Sequence, residues 1–438
     1  MTGYKQLARQ IFAEALAAVD VRAAVQREVL ADDETITIAD TLISRADIDC
    51  IFIIAIGKAA MPMYQAAAQS LNGIDHKAVV IAPEETRAEV RGAFFAGTHP
   101  LPTEQSFAAA RAVLELLHTA NERTAVLFLI SGGASAMMEL PLDSAITVEE
   151  TAAFHQALIA SGLRIAEMNA LRKHFSAVKG GRLALAAVNA RAQYTLLISD
   201  VPSATPDAIA SGPSLPDSTT IDDCRKLLSP LQLPPSVQRF FEDPQLPETP
   251  KANNAAFVRA TWKVILSSDH LAQAAAQAAQ RASFTPVIDN TCDEWEYRKA
   301  GEYLFQRAGD LLQQQGKYCL ISVGEVSVEL PRNPGTGGRN QQFALWCAKQ
   351  LQLLPNTPLT VLSAGSDGID GNSTAAGAVA DGDTLQNALD HGLWPRKNYA
   401  DFDANPLFTT LGDVIVTGPT GNNLRDLRLI LIDSAPAG

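Results

Sequence analysis

The feature that most constrains this chain is a succession of short, continuously apolar runs separated by helical patterns. The runs "CIFIIAI", "KAVVIA", "TAVLFLI" and "YTLLIS" fall in the first half, and "WKVILSS", "TPVID", "YCLISV", "LTVL" and "DVIV" in the second. Continuous rather than alternating apolarity predicts strands covered on both faces, hence mainly parallel sheets flanked by helices. At 438 residues the chain exceeds what one core organises, and a prior of about 150 residues per domain predicts two or three. Six prolines between Pro230 and Pro250 remove donors and fix φ, so that segment reads as a crossing between domains. The boundary is expected near residue 255, with an α/β domain on either side. No period of about 20–50 residues is visible, which argues against a solenoid.

Charge and cysteine usage narrow the function. A formal net charge of -13 opposes broad attraction to nucleic acid or anionic lipid, leaving small molecules as the expected partners. The first twenty residues place Leu7, Ile11, Ala15 and Val19 at helical spacing among Lys5, Arg9 and Glu14, which suits an amphipathic helix and not a secretory signal. No apolar run approaches the ~20 residues needed to cross a bilayer. The five cysteines are scattered, without a C-x-x-C pair. They read as reduced thiols in a cytoplasmic enzyme, without structural zinc.

In a parallel α/β sheet, ligands collect beyond the carboxyl ends of the strands, so the residues just after each apolar run matter most. After "IFIIAI" comes Gly57-Lys58 and a helix start, where a lysine reaches a phosphate as a point charge; a solvated loop lysine is the alternative. After "AVLFLI" comes Ser131-Gly132-Gly133-Ala134-Ser135, whose glycines let backbone N–H groups approach an anion; a turn that needs glycine only for its geometry is the alternative. The run "GASAM" is not the G-x-S-x-G elbow of a serine hydrolase. In "MNALRKHFSAVKGGRLA", Asn169, Lys173, Ser176 and Gly180 fall on one helical face, while Lys179 and Arg182 also suit a helix C-terminus. Asp200 ends the run "YTLLIS", as a metal ligand or a turn former.

The second half repeats the pattern. Gly324-Glu325 ends "YCLISV", and "GTGGRN" carries Gly337, Gly338 and Arg339 into a helix, where a guanidinium suits bidentate capture of phosphate or carboxylate. "SAGSDGIDG" brings Asp367 and Asp370 behind "LTVL". "GPTGNN" brings Gly418, Thr420, Gly421 and Asn422 behind "DVIV". The acidic loop lacks the twelve-residue EF-hand pattern, although its oxygen donors leave a calcium site as an alternative. There is no Walker loop, and "GTGGRN" ends in Asn340 where a dinucleotide fingerprint needs glycine or alanine.

Taken in order, "IGKAAMPM", "THPLPTEQS", "SGGASAMMELP", "RKHFSAVKGGRLA", "SDVPSATPDAIASGPSLPD", "GTGGRNQQFAL", "SAGSDGIDG" and "GPTGNNLRDL" resemble the class II glycerate kinases, from about residue 5 to 433. Some relatives of that family are named hydroxypyruvate reductase. The resemblance implies a larger Rossmann-like N-terminal domain, residues 1–255, and a smaller MOFRL-type domain, residues 256–438, with the active site in the cleft between them. It implies ATP-dependent phosphorylation of D-glycerate at the 2-hydroxyl, with magnesium, in the cytoplasm, by a monomer or homodimer. Lys58 and Arg339 match the family's catalytic pair and, with Glu325, are expected to bind substrate; Asp200 matches an acidic cleft position. Nucleotide contacts are expected from Ser131, Gly132, Gly133, Ser135, Lys179, Gly337, Gly338, Gly418, Thr420, Gly421 and Asn422, and metal contacts from Asp200 and Asp367. The sequence departs from the family at Ala134 and Ser203, both usually glycine. The rival expectation is an NAD(P)H-dependent hydroxypyruvate reductase, and a third is a binding module without turnover.

Overall fold

The structure, a computed structural model, describes all residues except 1, 99, 200, 202–205, 230, 354–356, 358 and 435–438. The chain divides into two compact units, Val21–Ile265 and Met1–Asp20 with Leu266–Gly438. Both are α/β, as the apolar runs predict.

The first unit begins with a small antiparallel sheet, β1 (Val29–Ala31), β2 (Thr35–Ile38) and β3 (Thr41–Ser44). Its main sheet contains β4 (Cys50–Ile56), β5 (His76–Ala82), β6 (Gly92–Ala96), β7 (Thr124–Ile130), β8 (Ala192–Ile198) and β9 (Ala260–Leu266), in the spatial order β6-β5-β4-β7-β8-β9. That is the doubly wound order 3-2-1-4-5-6. β4 pairs in parallel with β5 and β7, β5 with β6, and β7 with β8. β7 is buried at every residue, because helices cover both faces.

The second unit's sheet contains β10 (Thr285–Ile288), β11 (Lys317–Gly324), β12 (Leu359–Gly365), β13 (Gly377–Asp381), β14 (Val414–Ile415) and β15 (Asp426–Asp433), in the order β10-β11-β15-β12-β13-β14. Here the expectation of mainly parallel strands needs correction: β10 and β11 pair in parallel, whereas β11–β15, β15–β12, β12–β13 and β13–β14 are antiparallel. Apolarity on both faces reports that helices cover the sheet; it does not report strand direction. The central strand β15 is absent from the sequence reading because charged Asp426 and Arg428 interrupt its apolar pattern. Both are buried, at 1 % and 0 % exposure.

The expected boundary also moves. β9 belongs to the first sheet, so the chain passes between units at 265/266 rather than near 255. The helix Thr2–Ala18 belongs to the second unit, where Lys5 Nζ meets Asp413 at 2.6 Å and Asp381 at 3.2 Å. The proline-rich segment is not a crossing. Pro235 opens the helix Pro235–Glu242 at a position where a missing N–H costs nothing, and Phe240 and Phe241 of that helix bury against Phe154 and Phe175.

Candidate active site

In the first unit, strand order reverses between β4 and β7, and a doubly wound sheet opens its ligand crevice at such a point. The corners that leave these two strands interlock. Lys58 N donates to Gly132 O at 2.9 Å and Ala59 N to Ser131 Oγ at 3.0 Å. A Cβ on Gly57, at φ +118°, would lie 2.5 Å from Ser131 O. Glycine is therefore required for the two loops to approach. Gly133, at φ +82°, caps the short helix Ala134–Met137, and the Lys58 stem passes over it. Lys58 is exposed, and among the described residues no hydrogen bond or ion pair engages its ammonium group.

Around this corner the expected residues separate. Ser131 Oγ is spent shaping the loop. Ser135 Oγ lies 2.9 Å from Ser211 Oγ, which donates to Asn169 Oδ1 at 3.0 Å. Ser211 needs its one proton for Asn169, so Ser135 is the donor between the two hydroxyls. Ala210 and Ser211 adopt φ of +54° and +59°, conformations that side-chain-bearing residues hold only when their surroundings enforce them.

Lys179, expected at the nucleotide, lies instead beneath the loop. Its ammonium, 1 % exposed, donates to Glu139 Oε2 at 2.6 Å and Met138 O at 3.0 Å, and His155 Nε2 sits 2.9 Å from the same carboxylate. Burial alone would raise the Glu139 pKa, but Lys179 and His155 outweigh it and pull it down to about 2. The helical face read through Gly180 is also shorter than expected, because the helix Ile165–Phe175 ends before Ser176. Lys173 there holds Asp207 and Asp217. Asp200 and Ser203 lie outside the described residues.

In the second unit three glycine-rich corners meet. A Cβ on Gly371 would fall 2.2 Å from Gly337 O, one on Gly338 2.3 Å from Asp370 Oδ1, and one on Gly368 2.0 Å from Gly418 O. Asn372 ties the corner together by accepting from Gly337 N at 2.9 Å. Thr420 N donates to Asp367 O at 3.1 Å, and Thr420 Oγ1 to Ser366 O at 2.7 Å. Gly421 is exposed. Asn422 turns away from the corner: its side-chain amide donates to Val19 O at 3.0 Å.

Arg339 opens the helix Arg339–Gln352 and faces a cavity of about 520 Å³, lined on its polar side by Gly338, Asp367 and Asn372 and on its apolar side by Ile369 and Phe402. Its guanidinium meets Asp426 through Nε at 2.6 Å and Nη2 at 3.1 Å, and Glu325 through Nη1 at 2.9 Å and Nη2 at 2.8 Å. Burial disfavours the Arg339 charge, but Asp426 and Glu325 more than compensate and raise its pKa. Burial pushes Glu325 above the usual carboxyl range; Asp426 adds to this and Arg339 opposes it.

Asp370 is buried, at 2 % exposure. It accepts from Asn340 N at 3.0 Å and Gln341 N at 2.9 Å, so it caps the helix from a distant loop. Burial nevertheless raises its pKa to about 6.

Known proteins share this layout. A family model described as "Domain of unknown function (DUF4147)" matches residues 7–242, and one described as "MOFRL family" matches residues 318–426. A D-glycerate 2-kinase of Thermotoga maritima is 35% identical over 89% of this chain and 92% of its own length. The chain belongs to the glycerate 2-kinase family. A relative from Agrobacterium vitis bearing a hydroxypyruvate reductase name is 34% identical over 98% of this chain and 94% of its own. The crystal structure of a Thermotoga maritima glycerate kinase superposes with a TM-score of 0.85 at 32% identity, covering 99% of this chain and 100% of that one.

Within this glycerate 2-kinase family member, sequence reading missed Asp426, Ser211 and Asn372. Asp426 carries no motif of its own; only its register opposite Gly324 and Gly365 brings it to Arg339. Among the described residues no three His, Cys, Asp or Glu side chains converge to hold a metal. Magnesium usually needs only one or two carboxylates when phosphates and water complete its shell. Asp367 lines the cavity, and its Oδ1 accepts from Ile369 N at 3.0 Å, while among the described residues no hydrogen bond engages its Oδ2. Among the described residues no helix is long and apolar enough to cross a membrane.

Proposed function

We propose that this chain is a glycerate 2-kinase that transfers the γ-phosphoryl group of ATP to the 2-hydroxyl of D-glycerate, giving 2-phosphoglycerate and ADP. The observation that carries the reading is kinship along nearly the whole chain, with the loops at Lys58 and Arg339 conforming to what phosphoryl transfer needs. Such a reaction demands positioning and charge stabilisation more than covalent chemistry. Both reactants are anions and the chain carries -13, so local cations must offset the general repulsion.

Lys58 supplies an ammonium, without a partner among the described residues, beside the backbone N–H groups of Gly132 and Gly133, suited to the nucleotide phosphates. Arg339 supplies a planar guanidinium for an oxyanion, with Gly337 and Gly338 beside it. Asp367 would offer a carboxylate to magnesium, which when bound would offset charge on the nucleotide phosphates. The rest of the chemistry belongs to the chain: Lys58 and Arg339 counter the oxyanions, and the hydroxyls of Ser135 and Thr420 stand at the two loops. We assign the enzyme to the cytoplasm; its five cysteines are all free, in keeping with a reducing compartment.

The reductase reading draws on the names of two relatives from Agrobacterium vitis and on the doubly wound strand order. Against it, the corner after β4 reads Gly57-Lys58-Ala59-Ala60, without the glycine spacing that admits a pyrophosphate. A coupled assay with ATP, magnesium and D-glycerate tests the proposal. ADP release that requires D-glycerate, with NMR locating phosphate on the second carbon, is the expected result. Oxidation of NADH by hydroxypyruvate without ADP formation would overturn it.

A further inference from the structure

Arg339 has no free edge. Asp426 and Glu325 each take one bidentate edge of its guanidinium, and one cation with two anions leaves the trio at a net single negative charge. An oxyanion arriving from the cavity meets repulsion as well as attraction. For the guanidinium to grip that oxyanion in bidentate fashion, one resident carboxylate must let go.

The two residents are unequal. Asp426 begins β15 with its side chain 2 % exposed, and without Arg339 it would be left a buried, unpaired charge. Glu325 follows β11 with its side chain 35 % exposed. Its backbone N–H is held independently, by Asp293 Oδ1 at 3.0 Å. The side chain can therefore swing while the strand end stays fixed. A second cation waits nearby: Arg425 pairs with Asp293, its charge also favours ionised Glu325, and its Nε is buried without a hydrogen-bond partner among the described residues.

We propose that Glu325 is an internal stand-in for the substrate oxyanion, holding the outer edge of Arg339 in the unliganded chain and giving it up when a ligand carboxylate or phosphoryl group arrives. The inference rests on Arg339 being an anion-binding group, and it replaces the expectation that Glu325 itself contacts substrate. Glu325 is then a specificity-determining residue. Its charge sets how strong an anion must be to enter, and Asp426 keeps the guanidinium aimed while the exchange occurs.

The test is a thermal-shift titration of the full chain with inorganic phosphate and, separately, with D-glycerate, in the wild type, Glu325→Gln and Glu325→Ala. Removing the competing charge is expected to lower the half-saturating concentration of at least one ligand about tenfold, equivalent to ~1.4 kcal/mol. A response to D-glycerate identifies the carboxylate as the displacing group; a response to phosphate alone identifies a phosphoryl group. Unchanged or raised half-saturation for both ligands overturns the proposal, because a brace for Arg339 or a direct substrate contact would behave that way. Should both variants unfold, Glu325→Asp withdraws the same charge by one methylene and carries the same criterion. Steady-state kinetics add a second readout: displacement lowers KM for D-glycerate in Glu325→Gln, whereas loss of a brace raises KM and lowers kcat together. The kinase reading fails separately. Tighter phosphate binding in the variants, with no ADP formed by the wild type, leaves the displacement standing and removes the reaction.

Discussion

Two lysines, each near a glycine loop of the first unit, show how surroundings assign roles. Lys58 is exposed, and its ammonium has no partner among the described residues and contributes little to the fold. Lys58→Ala should change stability by no more than about 0.5 kcal/mol, as surface substitutions usually do, while lowering kcat about 10²–10³-fold if it stabilises developing charge. Melting curves beside steady-state rates check both halves. Lys179 is sealed against Glu139 and His155, so its charge supports the loop from below. Glu139→Gln would strand that ammonium and should destabilise the chain by about 3–5 kcal/mol. The direction of the shift sets the pH dependence. Glu139, drawn down from 4.5 to about 2, contributes stability that is complete above pH 4.5 and lost as pH falls toward 2. His155, lowered from 6.5 chiefly by burial, acts in the same sense below pH 6.5. Glu139→Gln should therefore flatten the acid limb of a stability–pH curve between about pH 4.5 and 2; an equally steep limb would remove Glu139 from the account.

At the scale of elements, the glycine corners divide into those required by close approach and those that merely turn. Gly371, at φ +63°, leaves no room for a Cβ against Gly337 O, whereas Gly421, at φ +70°, has nothing within 4 Å. Gly371→Ala should cost about 1–3 kcal/mol and separate the loops around Arg339. Gly421→Ala pays only the left-handed penalty of about 1 kcal/mol. Comparing melting midpoints and kcat for the two tests whether loop contact, rather than loop flexibility, supports turnover. The same corners show what can be read in advance. The apolar runs of β4, β5, β7 and β8 identified themselves, because each stays continuously apolar between turn residues. β15 did not, because Asp426 and Arg428 look like surface residues until the helix Arg339–Gln352 covers them. The proline-rich segment misled for the opposite reason: Phe240 and Phe241 give it a core to join despite its six prolines.

At the scale of the whole molecule, the two units are not two consecutive stretches of chain. The helix Thr2–Ala18 carries Lys5 to Asp413 and Asp381, and Arg9 Nη2 to Gly412 O at 2.7 Å, all within the second unit. Burial raises the Asp413 pKa, against the pull of Lys5. Lys5→Ala should therefore destabilise the second unit by about 1–3 kcal/mol. Hydrogen exchange should speed up in residues 266–434 and stay nearly unchanged in residues 21–265; a loss confined to the first unit would refute the assignment. What the sequence determined alone is the class of fold, the glycine-bearing loops and the two cations, since apolar continuity, turn chemistry and motif order are local properties. Tertiary structure decided strand direction in the second sheet, the burial of Lys179, the capping role of Asp370, and the union of Arg339 with Asp426 and Glu325. Those outcomes depend on which residues from distant segments share water-free space, and burial and opposing charge exist only once the segments have met.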